Sequence, residues 1–126
     1  MESKELDAFL RGETDGRTFR HRDHLRMGFA LLRRGSFTEA AAAYSAALKS
    51  IAARAGAPDA YHDTITVGFL ALLAERIATD EYSDFEQFFA ANADLADRQI
   101  LRRWYRPERL VSSLARRTFI LPEASL

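Results

Sequence analysis

The chain has 126 residues, of which 48% are hydrophobic and 11% aromatic, so it can bury the core of one globular domain. Its 18 basic and 18 acidic residues give a formal net charge of zero, which argues against a nucleic-acid partner because proteins that coat nucleic acid carry a basic surplus. The chain has no cysteine, which excludes disulfides, thiolate catalysis and cysteine-ligated zinc or iron–sulfur sites.

The opening stretch MESKELDAFLRGETDG is charged and lacks the apolar centre of a signal peptide. No window contains the roughly eighteen consecutive apolar residues of a membrane span. We therefore expect a cytoplasmic protein without a membrane partner.

Helical patterns begin near the start of the chain. A first helix is predicted over 3–11, where Gly12 ends it. A second runs over 21–34 and ends at Gly35, a typical C-terminal glycine. Ser36 and Glu39 then form the capping-box pattern that opens an alanine-rich third helix.

The same pattern continues in the second half. Gly56 and Pro58 break the chain before a helix over 59–78, and Ser83 with Glu86 repeats the capping box. Two short helices are predicted next, over 94–104 and from Pro107, before an apolar tail at 118–126. These signals predict an all-α fold, a single compact bundle of about six helices over residues 1–126 with an extended C-terminal tail.

Two of the predicted helices are apolar on every side, at 25–32 and 67–74, which is typical of buried helices. Each contains a glycine in its interior, Gly28 and Gly68, at a cost of up to about 1 kcal/mol relative to alanine. Close approach of a neighbouring chain segment or a ligand is the usual reason for such a glycine. The two helices are therefore predicted to touch at the centre of the bundle.

All three histidines stand at the first turn of these two helices. His21 and His24 are three residues apart and share a helix face, and His62 lies on the inward stripe of the later helix. Three imidazoles around an open fourth position would form a catalytic site for one divalent transition metal: zinc, iron, nickel or copper. A histidine-lined acid–base or ligand site without metal, and histidines that only satisfy backbone groups, are the alternatives.

The resulting functional hypothesis is a buried pocket between the 21–34 and 59–78 helices that takes a small anionic metabolite. His24 and His62 are its candidate catalytic residues, as bases or as ligands of a metal-bound water. Arg20, Tyr61 and Thr66 are its candidate substrate-binding residues, since an arginine could place the anion and Thr66 could donate a hydrogen bond to it.

Two other hypotheses remain open. Residues 80–97 carry six acids and no base, whereas 98–117 carry seven arginines and one glutamate. A non-enzymatic interaction module would use these segments to bind a partner or to pair two copies as a homodimer.

The His62-Asp63 pair suggests a further alternative, a divergent HD-type metal phosphohydrolase. In that family the pair ends an apolar helix, whereas here it opens one.

Four short elements also occur together: HRDHL at 21–25, YHDTIT at 61–66, NADL at 92–95 and a late Ala-Arg…Leu-Pro segment. With them the chain resembles an uncharacterised family of small bacterial all-helical proteins. The resemblance covers roughly residues 19–123 and implies a shared framework without implying an activity. That framework would contain His21, His24, Tyr61, His62, Thr64, Thr66, Arg116, Leu121 and Pro122.

Overall fold

The computed structural model describes residues 2–124, with side chains from residue 4 onward. Helices and short turns make up its regular structure, and no strand occurs in this part of the chain. The helices are α1 (Glu2–Leu10), α2 (His21–Leu32), α3 (Phe37–Arg54), α4 (Asp63–Ala78), α5 (Phe85–Ala91), α6 (Pro107–Leu110) and α7 (Ser113–Arg117). Single 3-10 turns form at Pro58–Ala60, Ala93–Ala96 and Ile100–Arg103. The predicted all-α bundle is confirmed, with seven helices in the described residues where about six were expected.

The first predicted capping box is confirmed, whereas the second is wrong by one residue. Ser36 Oγ accepts from the amide of Glu39 at 3.1 Å, and Glu39 Oε1 accepts from the amide of Ser36 at 2.9 Å. In α5 the cap is Asp84, whose Oδ1 accepts from the amide of Gln87 at 2.8 Å. Aspartate caps a helix as well as serine does, so the helix begins one residue later than Ser83 predicts.

The core is centred on the contact of α2 with α4, at the first of the two predicted glycines. A Cβ at Gly28 would lie 2.9 Å from Leu73 Cδ1 and 3.1 Å from Leu70 Cδ1, so these leucines occupy the space that a side chain would need. Gly68 serves a different neighbour, because its nearest atom is Leu101 Cδ1 at 3.1 Å. The predicted contact between the two apolar helices is confirmed, but only Gly28 faces it.

Residues 94–104 do not form the predicted helix, and Asp94 shows why. Its carboxylate receives two hydrogen bonds of 2.9 Å from the guanidinium of Arg76 in α4 and one of 3.1 Å from Arg103. The hydrogen bonds and charge of Arg76, with a smaller effect from Arg103, lower the pKa of Asp94 to about 2. The segment is therefore held against α4 as two separate turns, and the contact of Asp94 with Arg103 joins the acidic segment 80–97 to the basic segment 98–117.

Residues 118–124 of the C-terminal tail are extended and lie on the bundle, as predicted, while 125–126 fall outside the described residues. Thr64, fully buried in the first turn of α4, donates to the carbonyl of Thr118 at 2.9 Å and accepts from the amide of Ile120 at 3.1 Å. Tyr105 Oη donates to the carbonyl of Ile120 at 2.7 Å. The buried hydroxyl of Thr64 thus makes hydrogen bonds to the backbone of this extended segment that a neighbouring strand would otherwise make.

The segment before α4 sets one wall of the site. The helix begins at Asp63 and not at residue 59, since Pro58–Ala60 forms its own turn. Arg116 of α7 fixes this turn by donating to the carbonyl of Asp59 at 2.7 Å. Within the described residues, no helix has both the length and the apolar character needed to pass through a bilayer.

Candidate functional site

A cleft of about 1050 Å³ lies where α2, α3 and α4 meet, close to the N-terminal ends of α2 and α4. The six residues predicted for the site all line it, namely Arg20, His21, His24, Tyr61, His62 and Thr66. The structure thus brings the predicted residues together around one space. Their chemical roles differ from one another, as their hydrogen bonds show.

His62 is a helix cap. Its Nδ1 accepts a hydrogen bond of 3.1 Å from the amide of Ile65, which makes it the N-cap of α4. Its Nε2 therefore carries the proton and donates to the carbonyl of Leu110 at 2.6 Å. Both ring nitrogens are engaged and the side chain is buried, so His62 joins the start of α4 to the end of α6. This geometry supports the structural alternative for His62, because neither nitrogen is free to bind a metal.

His21 has one engaged nitrogen. Its Nε2 donates to the carbonyl of Leu95 at 2.9 Å, which ties the start of α2 to the Ala93–Ala96 turn. The ring meets Phe69 of α4 edge-on, with centroids 5.1 Å apart. Nδ1 makes no hydrogen bond to any residue of 4–124, so one nitrogen of His21 remains available.

His24 is the one histidine whose ring forms no hydrogen bond within the described residues. The ring packs on Phe19 with centroids 4.5 Å apart, while Tyr44 Oη donates to its backbone carbonyl at 3.1 Å. No side-chain polar atom of the described chain is both buried and unpartnered, so the ring nitrogens of His24 reach the cleft. Burial, with smaller contributions from the charges of His21 and Arg98, lowers the pKa of His24 to about 4. His24 is therefore neutral at pH 7 and presents an unshielded hydrogen-bonding edge.

The predicted three-histidine metal shell does not fit this geometry. Across the described residues, no three histidine, aspartate or glutamate side chains form a group that could hold a metal ion. With His62 engaged, only His21 and His24 have open nitrogens, fewer than the three protein ligands of a catalytic zinc site. A bound transition metal thus stays a prediction, without support from the arrangement of these side chains.

The charge of the cleft is strongly one-sided. Among the residues whose side chains are described, no aspartate or glutamate lines it, although the chain has 18 acids. Five arginines do: Arg17, Arg20, Arg22, Arg98 and Arg116. The side chains of Arg20 and Arg98 form no ion pair with any described residue. Two guanidiniums are therefore available at the cleft to meet an anion.

The other three arginines already have partners. Arg17 pairs with Asp15 at 3.2 Å, and Arg22 pairs with Glu86. Arg116 donates to backbone carbonyls of the segment before α4, as described above. These contacts hold the side chains of Arg17, Arg22 and Arg116 in the walls of the cleft. Arg20 and Arg98 are therefore the arginines left to bind a ligand.

Tyr61 and Thr66 stand on the α4 wall. Tyr61 Oη donates to Asp63 Oδ1 at 2.7 Å, and burial together with this carboxylate raises the pKa of the phenol. Lys49 lies over the ring of Tyr61, 5.2 Å from its centroid. Tyr61 is thus held in one orientation against the start of α4, and its hydroxyl is already engaged with Asp63.

Sequence reasoning missed Arg98 and most of the apolar surface of the cleft. Arg98 belongs to no motif, and only the pair of 3-10 turns around it brings it to the histidines. The apolar lining includes Phe19, Leu25, Leu48, Ile51 and Phe69, which come from three helices and a loop. Helical periodicity predicts that these residues are buried, but it does not predict which of them border an open space.

Comparisons with family models, with curated proteins and with solved structures gave no match to this chain. The resemblance to small bacterial helical proteins therefore stays a prediction.

Proposed function

We propose that the protein binds a small anionic molecule in the cleft between α2, α3 and α4. The observation that carries the proposal is the lining of five arginines without a single carboxylate. Arg20 and Arg98 have no ion-pair partner among the described residues, so their charge is not neutralised within the chain. Guanidinium groups match carboxylate and phosphate oxygens with two parallel hydrogen bonds, which makes these anions the favoured ligands.

The properties of His24 favour a role in ligand binding over a role in catalysis. A neutral imidazole edge beside two guanidiniums offers a hydrogen bond to the ligand without adding charge. General base catalysis works best when the pKa lies near the working pH, and a pKa of about 4 is far below neutrality. An anion bound beside His24 would raise this pKa by offsetting the positive field of Arg98. An acid–base reaction would therefore depend on the bound substrate itself.

Thermal melting with a panel of carboxylates and phosphates tests the proposal. We expect one or more anions to raise the melting temperature of the wild-type protein, while matched cations do not. Arg98→Gln and Arg20→Gln should lose most of that rise, because each removes one unpaired guanidinium. Arg34→Gln, an exposed arginine outside the cleft, is the matched control and should keep it. The proposal fails if no anion shifts the melting temperature, or if the cleft variants and the control respond alike.

A second candidate function rests on a different surface. Among the described large apolar side chains, five of the seven exposed ones lie between residues 104 and 121. Val111 is 76% exposed, Leu121 68% and Trp104 48%, values unusual for such residues in one short region. We propose this region, here called the C-terminal surface and defined by Trp104, Val111, Leu114, Phe119 and Leu121, as the contact surface of a homodimer. Molar mass measured over a range of protein concentrations tests it.

A further inference from the structure

The cleft divides into a charged outer part and an apolar inner part. Its arginines are all exposed, so their charges stand at the opening. Leu25, Leu48, Ile51 and Phe69 line the same cleft and are at most 8% exposed, so they form its floor. A ligand that enters must therefore meet positive charge outside and hydrocarbon inside.

The cleft is also larger than an inorganic anion requires. Ligand sites of about 300–1000 Å³ hold organic molecules of drug size, and this cleft reaches the upper end of that range at about 1050 Å³. The space exists partly because small side chains line it: Ala52, Ala55, Ala57, Ala60 and Ala96. Binding a bare phosphate at the arginines would leave the more accessible apolar side chains of the lining, Phe19, Ile65 and Phe89, in contact with water, which gives no gain from hydrophobic burial.

We infer that the ligand is an amphipathic anion, an apolar ring or chain that carries one carboxylate, sulfonate or phosphate group. This inference rests on the proposed anion site and adds the chemistry of the rest of the ligand. The anionic group lies between Arg20 and Arg98, and the apolar body covers Phe19, Ile65 and Phe89 above the buried floor. The edge of His24, packed on Phe19, faces the junction between the two parts.

Three related probes separate the anionic group from the apolar body. 8-Anilinonaphthalene-1-sulfonate has both, N-phenyl-1-naphthylamine has the body alone, and inorganic phosphate has the charge alone. The first two report binding by fluorescence and the third by calorimetry. We expect the sulfonate to bind to one site, with an affinity about tenfold or more above that of either other probe, since a hydrogen bond to a charged group contributes about that factor.

Two variants with matched controls locate the probe. Arg98→Gln should weaken the sulfonate about tenfold and leave the neutral amine unchanged, whereas Arg34→Gln should affect neither. Ala52→Trp fills the cleft from α3 and should weaken both aromatic probes at least tenfold, whereas Ala46→Trp, on the exposed side of α3, should not. Circular dichroism and melting curves show that each variant is folded before its affinities are compared.

Each other outcome has a defined meaning. If phosphate binds as tightly as the sulfonate, the anion site stands and the amphipathic ligand is overturned. If the neutral amine binds as tightly as the sulfonate, the charge contributes nothing and the proposed anion site falls with the inference. If neither Arg98→Gln nor Ala52→Trp weakens the sulfonate, the probe binds elsewhere and the inference is wrong.

Discussion

His24 differs from the other two histidines because its ring nitrogens are desolvated without gaining a protein partner. An unfolded histidine titrates near pH 6.5, whereas the folded chain lowers the pKa of His24 to about 4. Between these two values the unfolded chain binds more protons at this residue than the folded chain does. The free energy of unfolding therefore falls as the pH falls through this window, and above pH 6.5 His24 makes no contribution to its pH dependence.

His24→Gln removes this titration while keeping a polar side chain. We expect the wild-type protein to lose up to about 2 kcal/mol more stability than His24→Gln between pH 7.5 and pH 5. Urea denaturation of both proteins at the two pH values measures the difference, and the protonation of carboxylates cancels because both chains share it. Equal losses in the two proteins would show that His24 titrates normally in the folded state.

His62 and Arg98 show which properties of single residues could be predicted from the sequence and which could not. The sequence placed His62 correctly at the inward start of the buried helix, because helical spacing is a local property. Its partner, the carbonyl of Leu110, is 48 residues away and depends on where α6 packs. Arg98 reaches the histidines in the same long-range way. The spacing of the histidines therefore predicted a shared cleft but not which nitrogens are free in it.

At the scale of elements, the tail depends on one hydroxyl group. Thr64→Val keeps the shape of the side chain but removes both the donor to Thr118 and the acceptor for Ile120. We expect a loss of about 2 kcal/mol, because two backbone groups lose their partner. Hydrogen exchange at the amide of Ile120 should become much faster, while amides in the middle of α3 stay protected.

Thr64→Ser is the matched control for this change. It keeps the hydroxyl and should retain slow exchange at Ile120, with only the smaller loss of a buried methyl group. If Thr64→Val leaves exchange at Ile120 unchanged, other contacts such as that of Tyr105 with the carbonyl of Ile120 hold the tail.

Elements were predictable where their signals are local. The Ser36–Glu39 box forms α3 as expected, since both partners lie within one turn. The 94–104 helix was wrong because Asp94 bonds to Arg76 on α4, a contact that no local pattern shows. The start of α4 moved to Asp63 because His62 supplies the cap. Helix propensity thus predicted the long helices correctly, whereas tertiary hydrogen bonds determine where the short ones form and begin.

At the scale of the whole molecule, the C-terminal surface combines apolar exposure with positive charge. Arg109 donates to the carbonyl of Leu121, so one guanidinium lies directly beside a residue of the tail that is 68% exposed. Seven arginines occur in 98–117. In a two-fold symmetric dimer the same surface meets itself, so apolar burial would favour association while like charges oppose it. Salt screens that repulsion, since the Debye length falls to roughly 10 Å at 0.1 M.

Dimerisation through this surface should therefore increase with ionic strength. We expect sedimentation velocity to show a mass rising from 14.2 kDa towards twice that value as protein concentration and sodium chloride increase. A double variant, Val111→Lys with Leu121→Lys, should stay at 14.2 kDa, because it replaces apolar surface with charge and adds to the repulsion between the two copies. Ala46→Lys, on an exposed position of α3, controls for the added charge and should behave as the wild type. A wild-type mass that stays at 14.2 kDa under all these conditions would exclude a second copy as the partner of this surface.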